Sequence, residues 1–218
     1  NTQTTVLEFP LNYTKGSPHS FWPNLGGFYP WLDDNTGPKI SPHPLDNKAI
    51  FLIYPEPILT EIEFDIDGSI VLAFSDRTGF QVNGRDLSAN NTIISAFVGG
   101  DVLRGFKKGD NYIIEYNAKA GPFTGFGANN NQGPGGGEFY VEDFSLHNEN
   151  AMGGLAIKPG SGQILITQMD PYIANTNGTK VFNNTNGSTV FVITAYLQGF
   201  TQYTPNYSTA HKSIGMGD

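Results

Sequence analysis

The chain has 218 residues, 38% apolar and 15% charged, with 27 Gly, 14 Pro, no Cys and a net charge of −8. This length supports one domain with a real core, and the turn-rich, low-charge composition fits an all-β fold better than a helical bundle. The acidic balance argues against a nucleic-acid or anionic-membrane surface, and the lack of Cys excludes disulfides, thiolate zinc sites and a Cys nucleophile.

The predicted elements are short and separated by Gly, Asn and Pro clusters. VLEFPLNY (6–13) is the first strand candidate. Residues 15–48 are rich in Pro and aromatics and read as a long ordered loop anchored by Trp22, Phe28, Tyr29 and Trp31. AIFLIY (49–54) reads as a short buried strand or a lead-in to one. TEIEFDI (60–66) and SIVLAFSD (69–76) flank an acidic Asp-Gly turn. GGDVLRGFKKGDNYIIEYN (99–117) reads as a second hairpin, with 101–109 the best place for a short helix. A glycine-rich loop (121–139) precedes a brief strand, EFYVEDF (138–144). AMGGLAIKPGSGQILITQMDP (151–171) is a third hairpin and GSTVFVITAYLQG (187–199) a late strand.

An internal repeat joins two of these hairpins. EIEFDIDGSIVLAFSD aligns with GLAIKPGSGQILITQMD, so that Ile62 matches Leu155, Phe64 matches Ile157, Gly68 matches Gly162 and Asp76 matches Asp170. The offset is 93 or 94 residues, and the 99–117 hairpin lies midway. A unit of about 45 residues built from short antiparallel strands points to β-propeller blades, of which a chain this long supplies four to five. The terminal SIGMGD looks like the lead-in AMGGLAI, so the expectation is a single propeller-like domain, 1–218, forming part of a larger ring. The start at Asn1 and the lack of a leader read as a mature or excised piece. No apolar stretch reaches membrane-spanning length.

Several long stretches occur here in a characteristic order: PILTEIEFDIDGSIVLAFSDRTG, GGDVLRGFKKGDNYIIEYN, GPGGGEFYVEDF, HNENAMGGLAIKPGSGQILITQMDP and GMGD. Together with VLEFPLNYTKG and YPWLDD they resemble the propeller-like region of large secreted bacterial surface proteins that carry SdrD-B-like (Cna-B-type) repeats. The resemblance covers about residues 6–218. It implies a multidomain, extracellular or cell-surface protein and no particular reaction.

The chemistry-bearing residues offer alternatives. The DIDG turn fails the EF-hand pattern, because one Asp-x-Asp pair precedes Gly68 and position 74 is Phe. A plain hairpin turn is the favoured reading, with weak cation binding by Asp65 and Asp67 as its alternative. Asp76 and Arg77 end a strand, and the repeated Asp favours a turn-capping role. Together with Asp101 and Arg104 they would otherwise line a channel and bind a polar ligand. GPGGGEF lacks the G-K-[ST] ending of a phosphate loop. Glu138, Asp143, His147 and Glu149 form the densest polar cluster, a solvated rim or a buried hydrogen-bonded histidine or, functionally, a site for a divalent ion such as Ca2+ or an acid–base pair. Sequons begin at Asn12, Asn90, Asn177, Asn183, Asn186 and Asn206 and are expected glycosylation acceptors. No G-x-S-x-G or H-E-x-x-H pattern is present.

The leading expectation is a non-enzymatic extracellular structural or adhesive module of a large bacterial surface protein, requiring no cofactor. Its partners would be other domains of the same protein or neighbouring subunits, and glycans, with no nucleic acid. The rivals are a ligand-binding or hydrolytic propeller acting on surface polysaccharide, and a subunit of an extracellular filament or sheath.

Overall fold

The structure, a computed structural model, describes residues 2–18, 27–28, 30–31, 40–43, 46–81, 86–87, 93–143, 148–169 and 177–195. These residues are mostly strand. Three four-stranded sheets and one short ribbon account for nearly all of the regular structure.

Sheet I holds β3 (Pro57–Phe64), β4 (Ile70–Asp76), β7 (Asp101–Lys108) and β8 (Asn111–Ile114) in the order β3-β4-β7-β8, every pair antiparallel. β4 is buried along its whole length, as a central strand covered on both faces must be. The Asp65–Gly68 turn closes with Gly68 N–H donating to the Asp65 carbonyl at 2.9 Å, and Gly68 has a φ of 79°. Cross-strand partners point to the same side. The register therefore puts Leu59, Ile62, Phe64, Ile70, Leu72 and Phe74 on a front face, and Glu61, Glu63, Val71, Ala73, Val102 and Arg104 on a back face.

Sheet II holds β11 (Ala151–Lys158), β12 (Gln163–Met169), β13 (Asn177–Asn183) and β14 (Thr189–Ala195) in the order β11-β12-β13-β14, again antiparallel throughout. Its front face carries Leu155, Ile157, Ile164, Ile166, Lys180 and Phe182. This face packs on the back of sheet I in a core that includes Val71, Ala73, Val102, Phe139 and Tyr140. Each fully buried aliphatic side chain there is worth about 1.5–3 kcal/mol.

The two repeat hairpins thus begin two sheets of the same strand order. They also share a defect. β3 bulges between Leu59 and Glu61, and β11 between Ala151 and Leu155, where Gly153 has a φ of 95°. The bulges meet at the sheet junction: the Thr60 hydroxyl lies 2.7 Å from the Gly153 carbonyl and 3.0 Å from that of Ala73, and Leu155 N–H donates to Glu61 Oε2 at 2.6 Å.

Sheet III is mixed: β1 (Ile40–His43), β2 (Asp46–Leu52), β5 (Asp86–Leu87) and β6 (Ile93–Ala96) in the order β1-β2-β6-β5, with β2 and β6 parallel. A five-residue helix, α1 (Arg77–Gln81), follows β4, and β9 (Lys119–Ala120) pairs with β10 (Phe123–Thr124) in the glycine-rich loop.

Several expectations are corrected. The 99–117 hairpin is not a separate 45-residue repeat: β7 pairs with β4, Leu72 opposite Leu103, and completes sheet I. Residues 101–108 are strand rather than helix, with Gly105 against Ile70 where a Cβ would crowd that side chain. Residues 6–13 are extended but belong to no sheet. Leu7, Phe9, Leu11 and Tyr13 lie across the front of sheet I, and Tyr112 N–H donates to the Val6 carbonyl. Residues 138–143 form no strand beyond a single bridge at Glu138, because side chains take several of their backbone groups, and Phe144 lies outside the described residues. The 15–48 segment is not all loop, since β1 and the start of β2 fall within it; Pro42 is accommodated because β1 is an edge strand. Phe28 and Trp31 are buried as expected; Trp22 and Tyr29 lie outside the described residues. β13 had no counterpart in the sequence reading. Two antiparallel sheets of consecutive strand order are present among the described residues, and they do not by themselves close a ring.

Candidate functional site

The four residues expected to line a channel sit in separate surroundings. Asp76 is buried at the end of β4 and accepts from Glu56 N–H at 2.9 Å and Gly99 N–H at 3.2 Å. Burial pushes its carboxyl up to about 6 despite these donors. Arg77 is exposed and forks onto Glu56 at 2.6 and 3.0 Å. Asp101, at the start of β7, is buried and accepts from the Tyr13 hydroxyl. Arg104, deep in β7, reaches Asp65 at 3.2 Å and Asp67 at 3.1 Å. The cation facing the DIDG turn is therefore this guanidinium.

Arg104 belongs to a closed circuit across the sheet junction. It donates to the Tyr140 hydroxyl at 3.4 Å, Tyr140 donates to Asn184 Oδ1, and Asn184 donates to Asp65 Oδ2 at 2.5 Å. The circuit ties the first turn of sheet I to the β13–β14 turn of sheet II. The Phe123 and Phe139 rings flank the guanidinium at 5.2 and 5.5 Å. Beside it, buried Glu115 accepts from Arg104 N–H at 2.6 Å and Phe139 N–H at 2.7 Å. Burial lifts its carboxyl to about 8.

The acidic cluster forms a longer chain of contacts. Asn130 donates to Glu138, Gln132 donates to Asp143 and Glu149 N–H donates to Asp143, at 2.8, 2.8 and 3.1 Å. Glu149 then accepts from Lys15 Nζ at 2.5 Å and from Gly16 N–H at 2.7 Å. Lys15 also faces Asp101 at 3.7 Å and lies over the Trp31 ring at 4.3 Å, while Trp31 donates to the Tyr13 hydroxyl at 2.9 Å. The structure thus links Glu138, Asp143 and Glu149, whereas His147 lies outside the described residues. Three network members had no sequence signal as a site: Glu142, Lys15 and Lys180. Lys15 stands alone in a polar stretch, and only its distance from the acids in sequence conceals the pairing.

The electrostatics are those of an enclosed, acid-rich interior. Burial and then the neighbouring charges of Glu149 and Asp143 raise Glu138; burial and then Asp101 and Glu149 raise Glu142. Glu149 is pushed up to about 7, because burial and the facing acids outweigh the one ammonium beside it. Burial alone would lower Lys15, but Glu149 and Asp101 hold it above its ordinary value. Burial lowers Lys180, whose ammonium donates to the Val141 carbonyl at 2.9 Å.

Among the described residues, no three His, Asp or Glu side chains converge on a point that could hold a metal ion. A cleft of about 340 Å3 opens between the N-terminal segment and β3. Its walls are apolar, including Val6, Leu7, Leu59, Ile62 and Phe64, and carry no acid, base or nucleophile pair. Of the sequons, Asn12 and Asn186 are exposed. Asn183 is half-buried, with its Oδ1 taken by Thr185. Only the backbone of Asn177 is described, and Asn90 and Asn206 lie outside the described residues.

No protein-family model matches the chain, and no solved structure matches it significantly. Two curated proteins of Dictyostelium discoideum are similar. Colossin-C is 29% identical over 175 residues, covering 75% of this chain and 16% of that protein. Colossin-B is 26% identical over 197 residues, covering 85% of this chain and 5% of that protein. The chain therefore spans a small part of the relatives it matches. Among the described residues, no helix is long and apolar enough to cross a membrane.

Proposed function

We propose that the chain is a non-enzymatic structural or adhesive module of a much larger extracellular surface protein, built from propeller-type sheets. The observation that carries this reading is the use made of its ionisable groups. Asp76, Asp101, Arg104, Glu115, Glu138 and Glu149 are buried and fasten backbone or neighbouring side chains. A catalytic acid or base must reach substrate, and these are enclosed, while the open cleft is apolar.

The propeller component rests on two sheets of the same antiparallel order, stacked front to back at a shared bulge. The surface-protein component rests on the resemblance to bacterial propeller-like regions and on similarity to small parts of two long proteins. The hydrolytic reading gains support only from the raised carboxyls of the acidic network. Glycans at the exposed Asn12 and Asn186 complete the proposal as accessory features.

The test is incubation of the purified chain with surface polysaccharides, reading new reducing ends, and surface labelling of unpermeabilised source cells with an antibody to the chain. The reading expects no turnover and surface label. Turnover that Glu149→Gln abolishes at unchanged melting temperature would overturn it, as would label confined to the cell interior.

A further inference from the structure

Lys15 and Glu149 form the most enclosed ion pair among the described residues, with side chains 0% and 2% exposed. The two residues are 134 positions apart in the chain. Their segments are laced together, Gly16 N–H donating to Glu149 Oε1 at 2.7 Å and Asn148 N–H to the Ser17 carbonyl at 3.2 Å. Glu149 has a φ of 58°, a left-handed conformation that residues other than glycine seldom take. Strain of this kind persists where its surroundings enforce it and gathers at functional sites. A buried ion pair by itself adds little net stability over apolar packing, because desolvation offsets the attraction. Joining the two groups covalently removes both charges from the interior.

The groups around the pair are those that amide formation needs. The amine must lie against a carboxyl group and away from water. Lys15 Nζ is 2.5 Å from Glu149 Oε2, and the Trp31 ring covers it at 4.3 Å. A donor must hold the oxygen on which charge develops. Gly16 N–H donates to Oε1, the other oxygen of the same carboxyl. A base must take a proton from the nitrogen and return it to the leaving oxygen. Asp101 Oδ2 lies 3.7 Å from Nζ and is fixed by the Tyr13 hydroxyl. Burial, with Asp101 and Asp143 nearby, pushes the Glu149 carboxyl up to about 7 and so favours its uncharged, electrophilic form. Lys15 rests as an ammonium held above its ordinary value, so the neutral amine is scarce and the reaction slow.

We propose that Lys15 and Glu149 condense within the folded chain to an amide, an intramolecular cross-link between the N-terminal segment and the segment that enters β11. One proton passes from Nζ to Oε2, leaving a neutral amine beside an uncharged carboxyl. The nitrogen lone pair adds to Glu149 Cδ, and Oε1 takes the negative charge against Gly16 N–H. Asp101 removes a proton from the nitrogen. Oε1 then re-forms its double bond to Cδ, the bond from Cδ to Oε2 breaks, and Asp101 returns the proton, so that Oε2 departs as water. Asp101 ends as it began, and no oxidant or other reactant is consumed. The freshly folded chain carries the ion pair, and the amide accumulates from it. The link is independent of the module reading, which stands whether or not the amide forms.

The experiment is intact-mass spectrometry of the purified full chain, refolded and then held at neutral pH over days. The wild type should become lighter than its sequence mass by one water, and proteolysis should give a branched peptide joining residues 15 and 149. The same chain kept in denaturant should keep its full mass, because only the fold brings the two groups together. A folded wild type that stays at its sequence mass overturns the proposal, with no variant needed. So does a lost water that maps elsewhere, as in a Lys15–Asp101 link or a succinimide at Asp67-Gly68. Lys15→Met should keep its full mass, and a water lost from it at the wild-type rate overturns the proposal. Asp101→Asn keeps both partners and should slow the link about a hundredfold. An Asp101→Asn chain that melts cooperatively and links as fast as the wild type overturns the role given to Asp101.

Discussion

Replacing Lys15 with Met removes the one ammonium between Glu149 and Asp101 while keeping most of the side-chain volume. Lys15 Nζ is 2.5 Å from Glu149 and 3.7 Å from Asp101, and all three side chains are almost wholly enclosed. Breaking a buried pair by removing one partner costs about 3–5 kcal/mol, because the other charge is stranded. For a domain of this size that lowers the melting temperature by about 6–20 °C. The cost should depend on pH. With Glu149 titrating at about 7, its carboxyl is mostly ionised at pH 8 and mostly protonated at pH 5, so the substitution strands less charge there. Denaturant unfolding of wild type and Lys15→Met at both pH values measures this, and Lys15→Met with Glu149→Gln should recover part of the pH 8 loss. A loss under about 1 kcal/mol at pH 8, or a loss equal at both pH values, would refute the reasoning.

Arg104→Met removes the one cation facing Asp65 and Asp67 and a donor to Tyr140, and should cost about 3 kcal/mol in denaturant unfolding, near the low end because Asp65 keeps Asn184 and Asp67 is partly open to water. Gly187→Ala should fail to fold or lose most of its stability by calorimetry, since Gly187 has a φ of 66° and a Cβ there runs into the Phe139 carbonyl. Raised carboxyls keep their protons in the fold after the unfolded chain has lost them, so stability falls as pH climbs. The windows run from 3.8 to about 6 for Asp76, from 4.5 to about 7 for Glu149 and from 4.5 to about 8 for Glu115. The melting temperature should therefore drop between pH 5 and pH 8, and Glu115→Gln should flatten that slope.

Local patterning made part of this legible. The unbroken apolar run in IVLAF reported a strand covered on both faces, whereas the alternation in TEIEF reported a strand but not its covered face, since Ile62 and Phe64 are exposed and Glu61 and Glu63 face the second sheet. The match of Ile62 to Leu155 located two hairpins that begin equivalent sheets. Alternation does not say what a strand joins, so it places β7 in a separate repeat and Leu7, Phe9 and Leu11 in a strand, although β7 completes sheet I and those three side chains lie across a sheet face. β13 carries no strand signal in the sequence because NGTKVFN contains Asn, Gly and Lys, and only the fold shows Lys180 reaching the Val141 carbonyl. The acidic cluster around Glu138 and Glu149 was visible as composition. Its partner Lys15 lies more than a hundred residues away in the chain, and no local signal records such a pair.

Hydrogen exchange at the amides of Gly16, Arg104, Phe139 and Leu155 tests the central claim that buried and half-buried acids fasten the fold. Each of these N–H groups donates to a carboxylate: Gly16 to Glu149, Arg104 and Phe139 to Glu115, Leu155 to Glu61. The account predicts that all four exchange as slowly as the core amides of β4, through global unfolding. Exchange at the rate of open loops would contradict it and leave those carboxylates free for a ligand.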